Sequence, residues 1–238
     1  MEPTIVLVHG AFAESSSWDF VIDQLVGADH SVVAAANPLR GLASDAAAIS
    51  DVVRSIEGPV VLAAHSYGGA VISNVDPDAG NIVGLVYFNG FAPEAGDSAF
   101  SLAGMFPGST LDETTSRAVP RSDGTTDLYI KQESFYEHFC ADVPVWQAAR
   151  MAATQRPATQ EALTEPSGDR PLWKQVPSWF LIGEKDLIIP AALQHFMAER
   201  AGARRTIEIP GASHAVTVAQ PEATTQLILE AAALHVAA

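Results

Sequence analysis

The chain has 238 residues, of which 48% are hydrophobic, and a chain of this size and composition can bury one sizeable core. Its 28 acidic and 13 basic residues give a formal net charge of −15, which repels phosphate backbones and anionic lipid surfaces and argues against nucleic acid as a partner. No apolar run reaches the roughly 18 to 20 residues of a membrane span, so we expect a soluble protein with no membrane partner.

Short runs rich in β-branched residues alternate with helical patterns along the chain. The runs lack polar alternation, which is typical of parallel strands covered by helices on both faces. The six predicted strands are residues 5–8, 31–35, 59–63, 82–88, 179–182 and 206–209. Helix signals lie between them, such as Ser44 and Asp45 before a helix that ends at Gly58. We therefore predict an α/β fold with a doubly wound, mostly parallel six-stranded sheet and helices on both faces.

A long segment between the fourth and fifth predicted strands breaks this alternation. It is rich in Pro, Gly, Ser and Thr, and it becomes helical around residues 142–153. Because a structureless loop of this length is improbable inside a compact domain, we interpret residues 94–174 as an inserted helical lid, or cap. Residues 1–93 and 175–238 then form the core, with a final helix over residues 221–238 packed on the sheet.

Ser66 directly follows the third predicted strand, and a short helical pattern begins after it. A serine at such a sharp turn adopts a strained backbone conformation that lifts its hydroxyl above the carboxyl end of the sheet. Only small residues fit two positions before and after it, because strand and helix nearly touch. Gly68 satisfies this rule, and Ala64 departs from the usual glycine by one methyl group. Ser66 is the predicted nucleophile, and the alternative is a chance occurrence of the motif.

Two backbone N–H groups are predicted to form an oxyanion hole beside this serine. Tyr67 opens the helix after Ser66, and a turn at Gly10 directs the N–H of Ala11 into the same pocket. Taken alone, a His-Gly pair after a strand is equally consistent with an ordinary turn. His9 is interpreted as a ring that braces this loop through hydrogen bonds rather than as a base.

A serine hydroxyl becomes a good nucleophile only when an imidazole can take its proton and a carboxylate orients that imidazole. Asp186 follows the fifth predicted strand and His214 follows the sixth, so both loops reach the sheet edge that carries Ser66. The chain order Ser, Asp, His is that of a triad on this type of fold. The alternative acids that the sequence leaves open are Glu184, Glu94 and Asp97.

Five further residues are predicted to line a substrate pocket. Phe12, His65 and Leu187 neighbour the predicted catalytic residues in the chain, and His65 either lines the pocket or supports the turn. Phe135 and Trp146 are aromatic residues of the insertion, and aromatic residues above a site favour an apolar acyl or alcohol pocket. The alternative is that these aromatic side chains only pack the insertion onto the sheet.

These motifs resemble the α/β-hydrolase superfamily, and more narrowly the branch of plant-type methyl esterases and hydroxynitrile lyases with their bacterial esterase relatives. The resemblance covers the chain except the lid and rests on residues 8–11, 64–69, 185–190, 213–215 and 220–222. In that family the loop spacing to Pro190 favours Asp186 over Glu184 as the acid. The resemblance implies a serine hydrolase that cleaves carboxylic esters through an acyl-enzyme.

Lyase chemistry in this branch depends on two further residues. The lyases place a lysine directly after the catalytic histidine and a threonine after the histidine of the first loop. The matching positions here are Ala215 and Gly10, which supply neither a charge nor a hydroxyl. Hydrolysis is therefore favoured, and the alternatives are a ligand receptor with little turnover, lyase chemistry, or perhydrolase chemistry on the same scaffold.

The sequence also bears on cofactors, partners and location. No metal-ligand spacing and no phosphate-binding loop is found, so we expect no metal and no cofactor. The expected partner is a small-molecule ester with an apolar moiety. The sequence also allows a homodimer. Cys140 is the only cysteine, and the first residues lack a signal-peptide pattern, so a cytoplasmic location is expected.

Overall fold

A computed structural model describes residues 1–236 of the chain and contains nine strands and ten α-helices there. The strands are β1 (Thr4–Val8), β2 (Val32–Ala35), β3 (Pro59–His65), β4 (Asn81–Phe88), β5 (Ser116–Pro120), β6 (Thr126–Ile130), β7 (Ala158–Thr159), β8 (Ser178–Gly183) and β9 (Arg205–Ile209). The helices are α1 (Asp19–Gly27), α2 (Leu42–Arg54), α3 (Tyr67–Ser73), α4 (Ala99–Ala103), α5 (Gln132–Phe139), α6 (Val145–Thr154), α7 (Gln160–Thr164), α8 (Ala191–Arg200), α9 (Val216–Ala219) and α10 (Pro221–Val236).

Six strands form one parallel sheet in the order β2-β1-β3-β4-β8-β9. This confirms the predicted α/β fold and its six core strands. The chain moves outward from β1 to β2 and then returns to place β3 on the other side of β1. In open α/β sheets, ligands bind at such a reversal, outside the carboxyl ends of the strands. The register pairs Val8 with Ala64, so the loop that follows β1 lies beside Ser66.

Two apolar layers cover the faces of the sheet. Alternate side chains of a strand point to opposite faces, so Ile5 and Leu7 pack with Trp18 on one face while Val6 and Val8 pack on the other. Every residue of β3 is buried. The absence of polar alternation in the strands follows from this two-sided burial.

The insertion between β4 and β8 contains helices, as predicted, and also a three-stranded antiparallel sheet, β5-β6-β7, that was not expected from the sequence. The signal for it is weak, because β5 and β6 each have five residues with mixed burial and β7 has two. The turn between β5 and β6 contains Asp123 and Gly124, and Gly124 has a φ of +89°. An Asp-Gly pair is a hairpin signal that the sequence does carry.

Asp127 of β6 fastens the insertion to the core. Its buried carboxylate accepts hydrogen bonds from Arg40, at 2.6 Å, and from Arg121, at 2.9 Å. Burial opposes ionisation, but the two guanidinium groups outweigh it and hold the pKa of Asp127 below its ordinary value. Arg40 also donates to the carbonyl of Pro157, at 2.7 Å, so one core side chain holds two segments of the insertion.

The predicted C-terminal helix is present as α10, which packs against β3, β4 and β8. Residues 237 and 238 of the predicted segment lie outside the described residues. In the part of the chain that the structure covers, no helix has both the length and the apolar character to cross a lipid bilayer.

Candidate active site

Ser66 occupies the sharp turn between β3 and α3. Its φ of 56° and ψ of −126° lie in a region that residues other than glycine rarely adopt. Backbone hydrogen bonds hold it there: its N–H donates to the carbonyl of Phe88, and its own carbonyl accepts from the N–H groups of Gly69 and Phe91. The surrounding structure therefore imposes the strain at Ser66, which is buried but lines a cavity.

Close backbone approaches explain the small residues around this turn. A Cβ on Gly68 would lie 2.6 Å from the carbonyl oxygen of Val8, and a Cβ on Gly10 would lie 2.6 Å from the Cβ of Ser66. Ala64 is fully buried within β3, where its methyl group is accommodated in the apolar layer. Glycine is thus required at positions 10 and 68, whereas position 64 has room for alanine.

The two predicted oxyanion donors, Ala11 and Tyr67, line one cavity together with Ser66. Neither of their backbone N–H groups donates a hydrogen bond within residues 1–236. The loop of Ala11 is held on its far side by the N–H of Phe12, which donates to the carbonyl of Arg156 at 3.0 Å. The arrangement leaves two donors free beside the serine.

His9 braces the same loop, as predicted. Its Nδ1 donates to the carbonyl of Gly10 at 2.9 Å, and its Nε2 accepts from the N–H of Asn37 at 3.1 Å. The Asn37 side chain in turn donates to the carbonyl of His9, at 2.9 Å. Burial lowers the pKa of His9 to about 4, so the ring stays neutral and can accept at one nitrogen and donate at the other.

Asp186 and His214 form a hydrogen-bonded pair in which both side chains are fully buried. The Nδ1 of His214 donates to Oδ2 of Asp186 at 2.8 Å. The other carboxylate oxygen accepts from the N–H groups of Ile188, at 2.8 Å, and Ile189, at 2.9 Å. The amide of Gln194 donates to Oδ2 at 2.9 Å. These four bonds fix the carboxylate and the tautomer of His214, whose free lone pair then lies on Nε2.

Ser66 makes no side-chain hydrogen bond to this pair within the described residues. The Nε2 of His214 is buried and has no hydrogen-bond partner among the described residues. His65, the residue immediately before Ser66, contacts the His214 ring with 4.6 Å between ring centroids. Hydrogen bonds between catalytic groups are often long in unliganded enzymes and shorten when substrate binds.

Two buried polar residues near His214 were not identified from the sequence. Gln194 binds Asp186, as described above, and Asn89 donates to the carbonyls of Ser213 and His214 at 2.9 and 3.0 Å. The only local signal for Asn89 is a polar residue at the end of a buried strand. Gln194 lies inside a helix and gives no such signal.

The cavity beside Ser66 has a volume of about 210 Å³. Its walls come from the loops of Ala11 and Tyr67, the segment after β4, helix α4 and the loop of Asp186. The residues that line it are Ala11, Phe12, Ser66, Tyr67, Phe91, Ala99, Phe100, Ala103, Gly104, Ser109, Leu111, Leu163 and Ile188. None of these residues carries a charge.

Only Phe12 of the five predicted pocket residues lines this cavity. His65 is buried against the ring of His214, and Phe135 is fully buried against Phe139 inside the insertion. Trp146 is 67% exposed on a separate cleft. The carbonyl of Leu187 accepts hydrogen bonds from Thr110, while its neighbour Ile188 faces the cavity. Which face of a helix or loop turns inward depends on tertiary packing, and the sequence does not reveal it.

The alternative acids are engaged elsewhere. Each makes contacts at the surface rather than with His214: Glu184 accepts from the N–H of Gly211 at 2.8 Å, Glu94 pairs with Lys174 at 2.6 Å and Asp97 pairs with Arg200 at 3.1 Å. These ion pairs and backbone bonds account for the three carboxylates without a role at His214.

Known proteins share this architecture. The sequence matches the alpha/beta hydrolase family over residues 5–227. It is 23% identical over 251 residues to the alpha/beta hydrolase nvfD of Aspergillus novofumigatus (strain IBT 16806), covering 98% of this chain and 97% of that protein. The crystal structure of polyneuridine aldehyde esterase is similar with a TM-score of 0.79 at 19% identity, covering 97% of this chain and 99% of that chain.

A second similar structure is bacterial. It is an extracellular alpha/beta-hydrolase from a Paenibacillus species, described as sharing structural and functional homology with tobacco salicylic acid binding protein 2. Its TM-score is 0.78 at 23% identity, with 97% of this chain and 99% of that chain covered. The resemblance predicted from the motifs is thus confirmed for fold and family, and the chain belongs to the alpha/beta hydrolase family.

Proposed function

We propose that this hydrolase cleaves carboxylic esters through an acyl-enzyme on Ser66, with His214 as general base and acid and Asp186 as the carboxylate that orients it. The observation that carries the proposal is the buried 2.8 Å hydrogen bond between Asp186 and His214, whose ring contacts His65, the residue directly before the strained Ser66. Because that bond keeps the proton of His214 on Nδ1, the lone pair on Nε2 is available to accept the serine proton.

In the proposed first step, the Ser66 Oγ attacks the ester carbonyl carbon and its proton passes to His214 Nε2. The carbonyl electron pair moves to oxygen, and the N–H groups of Ala11 and Tyr67 stabilise the resulting oxyanion. When the tetrahedral intermediate collapses, the bond to the leaving oxygen breaks, and His214 gives its proton to that oxygen so that an alcohol leaves. Water then attacks the acyl-enzyme by the same route and releases the acid and free Ser66.

The cavity indicates the kind of group that the substrate carries. Its apolar, uncharged lining favours a neutral, apolar acyl or alcohol moiety, because a buried charge would find no partner there. Its volume of about 210 Å³ is below the roughly 300–1,000 Å³ of pockets for drug-sized ligands, so the buried moiety is small. We infer a small-molecule ester as the substrate.

A fluorophosphonate probe with mass-spectrometric mapping tests the mechanism directly. We expect a single label on Ser66, no label in Ser66→Ala, and sustained turnover on a panel of p-nitrophenyl esters and lactones. Label on another residue would reject the assignment. A burst of product followed by a stall would instead indicate a receptor, and a requirement for hydrogen peroxide would indicate perhydrolase chemistry.

We also propose a cytoplasmic location, supported by the lone cysteine. Cys140 is buried and free, and a single cysteine forms no internal disulfide, which fits a reducing compartment. The similar Paenibacillus hydrolase is extracellular. Fractionation of the source cells therefore decides the question, and recovery of the protein from the culture medium would overturn the proposal.

A further inference from the structure

We propose that His65 and Asn89 are positioning residues that hold the catalytic loop by the backbone carbonyl of His214. The inference rests on the proposed function, since it assigns these side chains a role through His214. Both are essentially inaccessible to solvent, with exposures of 1% for His65 and 0% for Asn89. Neither side chain lines the substrate cavity, so neither is expected to touch the substrate.

The carbonyl of His214 receives two side-chain donors. His214 lies in the loop between β9 and α9, so its carbonyl oxygen is not part of a strand ladder. It accepts from His65 Nε2 at 2.8 Å and from Asn89 Nδ2 at 3.0 Å. Because a carbonyl oxygen only accepts, the proton of the neutral His65 ring must lie on Nε2. His65 therefore faces His214 as a donor and is not placed as a second base.

Asn89 joins three segments of the core at one point. It follows β4, its Oδ1 accepts from the N–H of Gly183 at the end of β8 at 2.6 Å, and its Nδ2 donates to the carbonyls of Ser213 and His214. These three contacts determine which end of the amide is nitrogen. Its φ of 42° lies in the left-handed region, which asparagine adopts more readily than most side chains. A Cβ on Gly183 would lie 2.6 Å from the carbonyl oxygen of Ser213, so the strand end and the catalytic loop are in direct contact.

Two aromatic rings also pack against the imidazole of His214. The His65 ring lies at 4.6 Å on one side, and the Phe139 ring meets it edge-on at 4.8 Å. The bond to Asp186 fixes one nitrogen, but it does not fix the backbone from which the ring projects. The two donors to the carbonyl supply that second constraint, and a displacement of about 1 Å at a reacting group can cost roughly 100-fold in rate.

Burial lowers the pKa of His65 well below its ordinary value, and the neighbouring His214 lowers it further. Burial therefore favours the neutral form of the ring. Its Nδ1 is buried and makes no hydrogen bond to the described part of the chain. A single donated hydrogen bond is thus the polar contribution of His65, and a substitution can test it in isolation.

The test compares His65→Gln with His65→Leu. A glutamine amide nitrogen can reach the position of Nε2 and donate, whereas leucine fills the space without a donor. With p-nitrophenyl acetate, we expect His65→Leu to lower kcat at least about tenfold with KM changed by less than about threefold. His65→Gln is expected to recover most of that loss. Asn89→Asp, which keeps the shape and the backbone preference but replaces the donor with an acceptor, should also lower kcat selectively.

Two measurements separate positioning from loss of fold. Tyr87→Phe is the control variant, because Tyr87 lies on β4 and its buried hydroxyl hydrogen-bonds to Ser73 rather than to His214. The thermal unfolding of every other variant is compared with that of Tyr87→Phe. Proton NMR of ¹⁵N-histidine-labelled protein follows the Nδ1 proton of His214 without any turnover. We expect its low-field resonance in the wild type and in His65→Gln, and its shift or loss in His65→Leu.

Equal kcat in the wild type and His65→Leu would overturn the proposal, as would a loss in His65→Gln as large as in His65→Leu. An unchanged His214 resonance in His65→Leu would overturn it as well. The resonance is read in the absence of substrate, so a wild-type protein that hydrolyses no ester would refute the proposed function while this test still decides the role of His65.

Discussion

Asp186→Asn isolates the contribution of the carboxylate, because the hydrogen bonds around it dictate which way the new amide must point. Oδ1 accepts from the two backbone N–H groups of Ile188 and Ile189, which cannot become acceptors. The amide oxygen must therefore stay on that side. The new NH₂ then faces His214 Nδ1, which must give up its proton and become the acceptor.

Reversal of the tautomer moves the His214 proton to Nε2, so the ring can no longer accept the Ser66 proton. We expect kcat to fall by roughly four orders of magnitude, the loss that follows when the orienting aspartate of a serine triad is replaced by asparagine. The NH₂ also opposes the Gln194 amide, which donates to Oδ2 at 2.9 Å and to the carbonyl of Ile189 at 2.7 Å. Loss of one such buried bond costs about 1–3 kcal/mol of stability.

The assay is steady-state hydrolysis of p-nitrophenyl acetate, together with urea unfolding of each variant. Glu184→Gln is the matched control, because Glu184 is the nearest rival acid in the chain and lies at the surface. Its kcat should stay within about twofold of the wild type. Wild-type kcat in Asp186→Asn would refute the role of Asp186, as would a loss of activity in Glu184→Gln as large as in Asp186→Asn.

Three further outcomes follow from the geometry. Ala103→Phe fills part of the 210 Å³ cavity, so kcat/KM for p-nitrophenyl octanoate should fall about tenfold more than for the acetate, and equal losses would contradict the assigned pocket. The pKa of His9 is about 4 in the fold against 6.5 ordinarily, so its stabilising contribution is full above pH 6.5 and is lost as pH falls toward 4, by up to about 3 kcal/mol. Urea unfolding of wild type and His9→Gln across pH 4–7 checks this, and an equal slope in both would refute it. Asp127→Asn weakens the ion pairs to Arg40 and Arg121, so amide hydrogen exchange in β5 and β6 should accelerate, whereas unchanged protection would show that the insertion is held otherwise.

The core of the fold can be predicted from the sequence because its strands are buried on both faces. Such strands read as continuous apolar runs, and β3 with its seven buried residues shows this pattern clearly. The turn at Ser66 can be predicted for a related reason, since the close approach of two backbone segments leaves no room for a side chain at position 68. In both cases the requirement restricts the residue types at several neighbouring positions of the chain, so it can be recognised as a local pattern.

Features that depend on remote contacts left no comparable signal. Asn89 meets the carbonyl of Ser213, which is 124 positions away, and the N–H of Gly183, which is 94 positions away. No pattern in the neighbouring sequence indicates a hydrogen-bond partner so far away in the chain. The side chains that line the pocket could not be predicted for the same reason. Phe135 and Trp146 both lie on helices of the insertion, but packing buries Phe135 away from Ser66 and exposes Trp146 on another cleft.

The geometry of the first loop bears on the choice between hydrolysis and lyase chemistry. The lyases that this sequence resembles carry a threonine where this chain has Gly10. Here a Cβ at that position would lie 2.6 Å from the Cβ of Ser66 and 2.8 Å from the carbonyl oxygen of His65. A threonine would therefore have to displace the serine turn that the backbone bonds to Phe88 and Phe91 hold in place. The loop leaves no space for a side chain at position 10, so the threonine hydroxyl of the lyases does not fit the present site. The lack of that hydroxyl favours hydrolysis over lyase chemistry.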